Sequence, residues 1–295
     1  MSQSQLHEEL DKVLANRKRT LQPRDALVGL NYLFYLGLAA AIGGGLFYFY
    51  AYRQLALMVL PTLLMGALAT MIISVASIVF AVCLGVLGAL GRLSKFAPLR
   101  WLASLYVEVV RGTPLLVQLL LWYFGIGTLL SNLGFDPYNL VFQLMTALQS
   151  NSLVPNAFNG YFYGILGLSV NYGAYLTEVF RTGILSVDKG QTEAALSLGL
   201  DSRQLLRHII LPQAFRLTIP PLTNNFITLI QDSAFLSVLS VLELEYRTLG
   251  LALPQLQPGN KMFIFILGAL LYLLICYPLS IYARYLERKL ILPVK

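Results

Sequence analysis

Four long stretches of this 295-residue chain carry no charged side chain: residues 26–52, 54–91, 112–135 and 262–283. A helix needs only about 20 mostly apolar residues to cross the hydrocarbon of a bilayer. A soluble core would have to hide all of this surface, and the chain has too little polar material to do so. Hydrophobic residues make up 57% of it and charged residues 12%, against about 25% charged in a soluble domain. The remaining solvent is lipid. Residues 137–177 are also uncharged, but their first part, Tyr138 to Asn159, is rich in Asn, Gln, Ser and Pro and reads as a loop. Their apolar part starts at Gly160. A sixth segment, Leu217 to Leu242, is apolar with a polar middle. The expectation is an all-α membrane protein with about six spans, near 28–51, 62–91, 104–130, 160–184, 215–242 and 262–284.

Basic residues are retained on the cytoplasmic side of a membrane. With both termini inside, every one of the 21 Lys and Arg except Arg53, Arg247 and Lys261 falls on inner segments, from Lys12 in the N-terminal arm to Lys295. The opposite topology reverses this ratio. The net charge of +7 is therefore spread over separate inner loops and lipid-facing arms, and it does not mark a nucleic-acid partner. The first apolar run continues to Tyr52, too long for a cleaved signal segment despite the small residues Ala39–Ala41. Cys83 and Cys276 lie inside spans and read as packing residues. His7 and His208 stand apart, so no metal site is expected. There is no phosphate-binding G-x-x-x-x-G-K-[ST] loop, no nucleophile elbow and no H-E-x-x-H. Catalytic residues are not expected, and energy for uphill transport would come from an ion gradient or a partner.

Between the fourth and fifth spans, residues 190–212 are unusually ordered for a membrane loop. A short helix is expected from Gln191 to Leu198, with Ala194, Ala195 and Leu198 on its apolar side. Gly199 suits the left-handed position just past a helix end. Asp201 fits an N-cap, and Gln204 three residues on completes a capping box. A second helix would then run to about Ile210, where Pro212 ends or redirects it. Such an elbow presents a rigid knob, with small Ala194 and Ala195 for close approach and Glu193 as a charge to pair.

Glu193-Ala194-Ala195, followed by Gly199, Ile209 and Leu211-Pro212, resembles at every position the EAA motif of ABC importer permeases. Arg111-Gly-Thr-Pro-Leu-Leu-Val-Gln118 resembles a segment of the polar amino acid uptake subfamily, as do Ala174-Tyr-Leu-Thr-Glu178, Phe180-Arg-Thr-Gly-Ile184, Pro212-Gln213 and Pro220-Pro-Leu-Thr-Asn224. The resemblance covers about residues 57–290. It implies a type I importer transmembrane domain there, with a five-helix core and the coupling segment 190–212. Residues 1–26 would be a cytoplasmic arm, and 27–52 an extra N-terminal transmembrane helix. It further implies a multi-pass protein of the bacterial inner membrane. The elbow, through Gly190, Glu193, Ala194, Ala195, Gly199 and Asp201, would dock into a pair of ATP-binding subunits that hold ATP and Mg. A second permease subunit, identical or homologous, and a periplasmic amino acid-binding protein would complete the assembly.

Polar side chains inside a span are costly and usually serve a pathway. Asn171, Tyr175 and Glu178 share one face of the fourth span, at spacings of four and three. In the fifth span, Asn225, Thr228 and Asp232 do the same, with Asn224 and Gln231 beside them. In the third, Arg111, Gln118 and Trp122 form a stripe with Glu108 a turn earlier. Thr113 as an N-cap and Pro114 at the first helical position would restart a helix there, aiming its N–H groups at an anion as broken helices of transporters do. Pro220-Pro221 should interrupt the fifth span similarly. For an amino acid zwitterion, Glu178 or Asp232 would face the ammonium, and Arg111, Asn225 or the helix-end N–H groups the carboxylate. Arg111 with Glu108, and Arg181 with Glu178, are also simple structural pairs at three-residue spacing. Gly85, Gly88 and Gly91 read as close helix packing. Gln231-Asp232 leans towards acidic or neutral amino acids. A rival reading is an ion-coupled secondary transporter or channel, although no internal repeat supports it.

Overall fold

The computed structural model describes residues 23–147 and 158–290, and the regular structure in them is entirely helical. Lys12, His7 and the rest of the arm up to residue 22, Lys295, and loop positions 148–157 lie outside the described residues. The chain divides into two compact units, one ending at Leu55 and the other starting at Ala56. The first contains α1, Pro23–Ala51. Its end is aromatic, with the Tyr48 and Tyr52 rings 4.8 Å apart.

In the second unit the helices follow the charge-free runs, because in lipid the backbone has no alternative to pairing with itself. α2 spans Arg53–Leu93. α3, Ala97–Arg111, and α4, Leu115–Asn132, are separate helices. Residues 121–127 of α4 widen into π-helical turns. The expected single span 104–130 is thus split at Gly112–Pro114. The segment Tyr138 to Asn159, expected as a loop, holds α5, Pro137–Ala147. Asp136 caps its start, accepting from the Tyr138 N–H and from Asn159 Nδ2. α6 runs Phe158–Leu185 and α7 Lys189–Ser197. α8, Ser202–Leu205, passes through a π-helical turn, Leu206–Ile210, into α9, Leu211–Asp232. A 3₁₀ turn, Ser233–Leu239, then α10, Leu244–Ala252, and α11, Pro258–Leu290, complete the unit.

By length and apolarity α2, α4 and α11 each suffice to cross a membrane, and residues 202–252 do so as a bent pair. The six expected segments all appear as helices, but α6 falls short of that apolarity because it carries the polar face described below. The three prolines behave differently from expectation. Pro220 and Pro221 lie inside α9, which continues through them. Pro212 does not end the second elbow helix: it sits in the first turn of α9, which follows the π-helical turn directly. Surrounding lipid and helices leave a broken backbone nowhere to find partners, so the helix persists.

Packing centres on α6, against α2, α4 and α9, around Ile73, Leu119, Leu168, Leu176 and Leu229. The glycine stripe is where α2 approaches: a Cβ at Gly85 would stand 2.7 Å from Leu176 Cβ, and one at Gly88 would overlap Thr177 Oγ1. Cys276 is buried, whereas Cys83 is exposed on the surface of the chain instead of packed inside.

Glu243, unremarked in the sequence, is 0% exposed. Its carboxylate caps α10, accepting from the Glu245 and Tyr246 N–H groups at 2.8 and 2.7 Å. Tyr272 Oη of α11 donates to it at 3.0 Å and Thr70 Oγ1 of α2 at 3.4 Å. One carboxyl group therefore joins three helices, with its oxygens satisfied by hydrogen bonds.

Candidate functional site

The break between α3 and α4 is held by side chains. Pro114 occupies the cap position with an extended ψ of 137°, and no side chain caps α4. Thr113 does not act as the N-cap; its hydroxyl donates backward to Val109 O at 2.9 Å. Gln118 does the clamping. Its Nε2 lies 2.7 Å from Val110 O, 3.0 Å from Thr113 O and 2.8 Å from Thr113 Oγ1. Its Oε1 accepts from Asn171 Nδ2 of α6 at 3.1 Å. These bonds satisfy a carbonyl left over at the end of α3 and fix the break to α6.

Around the break lies a cavity of about 470 Å³, within the range of small-molecule sites. Arg111 to Leu115 form one wall. α6 contributes Asn171, Tyr172 and Tyr175, and α9 contributes Asn225, Thr228 and Asp232. Asn225, Thr228 and Asp232, expected to share a face of the fifth span, thus meet in one space with Asn171, Tyr172 and Tyr175 of the fourth. The Arg111 guanidinium lies 5.2 Å from the centre of the Tyr175 ring, a cation–π placement. Asp232 Oδ2 accepts from Tyr172 Oη at 2.7 Å. Tyr172 was missed because it stands one residue off the Asn171–Tyr175 stripe.

Four of the path candidates, Gln118, Glu178, Asn224 and Gln231, fall outside the cavity lining. Gln118 is 8% exposed and occupied by the clamp. Glu178 pairs with Arg92 of α2 and, at 2.8 Å, with Arg181. Its carboxylate is thereby engaged by two guanidinium groups. Glu108 lies 4.0 Å from Arg92 rather than pairing with Arg111. Asn224 and Gln231 are exposed. A larger cavity, about 550 Å³, lies between α2, α6 and α9, but hydrocarbon side chains such as Val82, Phe180 and Phe215 line it. It offers a zwitterion almost nothing to bond.

The elbow has the form expected at its centre. Gly199 has φ +83°, its N–H donates to Leu196 O and that of Leu200 to Ala195 O, closing α7 in a Schellman motif. Asp201 and Gln204 form the capping box, with each accepting from the other's backbone. α7 starts two residues earlier than expected, capped by Asp188, whose Oδ1 accepts from the Gln191 N–H. Its apolar side divides: Ala195 is buried, while Ala194 is exposed and Leu198 is 81% exposed. Glu193 is exposed beside them, and Gly190 lies in the first turn.

This elbow and broken helix belong to a known family. Residues 81–292 match the family described as binding-protein-dependent transport system inner membrane component. The chain belongs to that family. The permease is 36% identical to the L-cystine transport system permease protein TcyB of Bacillus subtilis, over 78% of this chain and 87% of the relative. It is 35% identical to the probable glutamine ABC transporter permease protein GlnM of the same organism, over 75% of this chain and 89% of that one. A solved amino acid ABC transporter superposes with a TM-score of 0.63 at 30% identity, covering 79% of the permease and 97% of that chain. The MetNI methionine transporter in an inward-facing form shares the fold, with a TM-score of 0.53 at 17% identity over 79% and 98% of the two chains. The expectation of an ABC permease, a multi-pass inner-membrane transport subunit and not itself an enzyme, therefore stands.

Proposed function

We propose that this permease carries an amino acid through the cavity at the α3–α4 break, driven by ATP hydrolysed on a separate pair of subunits. The observation that carries the reading is the set of groups converging on that cavity. One guanidinium (Arg111), one carboxylate (Asp232), two amides and the uncapped N-terminus of α4 line a single space. A zwitterion carries one ammonium and one carboxylate. Asp232 faces the ammonium, oriented by Tyr172, and Arg111 with the α4 N–H groups faces the carboxylate, where the helix dipole also favours a negative charge. Asn171, Tyr175, Asn225 and Thr228 surround the remainder. One cation and one anion leave no partner for a cationic side chain. This favours neutral or acidic substrates, although the relatives are named for cystine, glutamine and arginine alike.

Asn224, Thr228 and Gln231 lie at spacings of four and three on α9 and are all exposed. Amides facing lipid are costly, so this stripe belongs against water or a second permease subunit, identical or homologous. The elbow supplies the other partner: exposed Glu193, Ala194 and Leu198 form the knob for an ATP-binding subunit carrying ATP and Mg. Gly199 and Asp201 hold the knob's shape, and Gly190 its first turn. Closure of the ATPases pulls the elbows together and opens the path outward, where a periplasmic binding protein delivers the amino acid. Both termini then lie in the cytoplasm, and the extra helix at 27–52 and the domain at 57–290 are separate modules of one membrane subunit.

Co-purification tests this reading. A P-loop ATPase should accompany the wild-type permease and be lost with Glu193→Lys. Sustained uptake by the isolated chain in vesicles, with no ATPase present, would instead establish the ion-coupled transporter or channel. For the cavity, Asp232→Asn should raise the substrate concentration for half-maximal stimulation of ATP hydrolysis by about 10-fold or more, the loss of one charge-assisted bond. Glu178→Gln should leave that concentration unchanged.

A further inference from the structure

The elbow and the cavity lie at opposite ends of α9, and one side chain links the elbow's first helix to that rod. Gln213, in the first turn of α9, donates from Nε2 to two acceptors. One is Ile209 O, at 3.0 Å, in the π-helical turn that precedes Pro212. The other is Gln191 Oε1 of α7, at 2.6 Å. An amide nitrogen carries two hydrogens. The Ile209 carbonyl takes one and so orients the amide, and the second is left aimed at α7. The backbone of Gln191 is anchored in turn, since its main-chain N–H is held by the Asp188 cap. The bond spans 22 residues of sequence and bypasses the Gly199 turn and the π-helical turn, the two places where the covalent route is least regular.

From Gln213, α9 continues without a break to Asp232. At 1.5 Å per residue this is about 28 Å. The same helix ends on Asn225, Thr228 and Asp232 in the cavity wall. A displacement of α7 carried only by the chain would be absorbed at the αL residue and in the widened turn. Carried by the amide, it reaches the base of the helix directly. We infer that Gln213 is a positioning residue for energy coupling, passing movement of the elbow helix through Gln191 into α9 and so to the cavity. The inference rests on the reading of the elbow as the ATPase contact.

The test uses the whole complex in proteoliposomes, with substrate transported per ATP hydrolysed as the readout. Gln213→Leu and Gln191→Leu should each lower that ratio at least fivefold. The amount of co-purifying ATPase and the substrate concentration for half-maximal stimulation should stay within twofold. The double variant should be no worse than either single one, because both remove the same bond. If Gln213→Leu does not purify, Gln191→Leu, on an exposed position of α7, reads the bond from its other side. A merely structural role would move yield and stability and leave the ratio unchanged; that result, or losses that multiply in the double variant, overturns the inference. Glu193→Lys is measured in parallel. If it disconnects the ATPase while the glutamine variants couple normally, only the role of Gln213 falls. If Glu193→Lys changes nothing, the elbow reading falls and the inference with it.

Discussion

Replacing Glu243 by leucine separates two accounts of a carboxylate in a membrane protein. On a surface facing lipid, leucine would be the better residue, and the protein would gain stability. In the structure the carboxylate instead accepts from two backbone N–H groups at the start of α10, from Tyr272 of α11 and from Thr70 of α2. Leucine deletes every acceptor. The two hydroxyls can turn to other oxygens, but the N–H groups of Glu245 and Tyr246 are fixed by the helix. A buried donor left unpaired costs about 1–3 kcal/mol, so the two together cost about 2–6 kcal/mol. For a unit of this size each kcal/mol lowers the unfolding midpoint by about 2–4 °C. Thermal unfolding in detergent, followed by tryptophan fluorescence, should therefore show a drop of roughly 4–24 °C for Glu243→Leu. Glu243→Gln keeps one acceptor oxygen for the helix end and should lose less than half as much. Tyr272→Phe removes one hydrogen bond and should cost about 0.5–1.5 kcal/mol. An unchanged or higher midpoint for Glu243→Leu, or equal losses for leucine and glutamine, would refute the account of Glu243 as a cap joining three helices.

Further outcomes follow from particular contacts. Gly88→Ala should destabilise by about 1–3 kcal/mol, because its Cβ overlaps Thr177 Oγ1, which is itself bonded to Gly173 O at 2.8 Å. Gly250→Ala, with nothing within 4 Å of the added carbon, should instead gain about 0.5–1 kcal/mol, and the two unfolding midpoints compare them directly. Gly199→Val forces a branched residue into φ +83°, at roughly 1–2 kcal/mol; less ATPase should co-purify while the unfolding midpoint of the whole permease moves by only a few degrees.

Much of this architecture was legible in residue spacing. Charge-free runs locate helices because lipid permits little else, and the Asp201–Gln204 box and Gly199 specify the elbow because caps are local in sequence. The same locality explains the failures. Thr113 looked like a cap, yet Gln118 five residues on reached back and took over the loose groups of the break. Glu178 shares a helical face with Asn171 and Tyr175, but its fate was decided by Arg92, 86 residues away in sequence. Tyr172's partner Asp232, and two of the partners of Glu243, Tyr272 and Thr70, come from other helices and leave no trace in the neighbouring sequence. Pro220 and Pro221 were read by analogy with the broken helices of transporters, yet α9 runs through both.

The clamp at Gln118 bears on what filling the cavity demands. Its amide already occupies the carbonyls exposed where α3 stops, and Asn171 holds that amide from across the cavity wall. An arriving guest does not have to organise the kinked main chain around itself. It finds a vessel that keeps its form when empty, so little of the interaction is consumed in ordering the walls. Entry and exit can then proceed without rebuilding the wall at each passage.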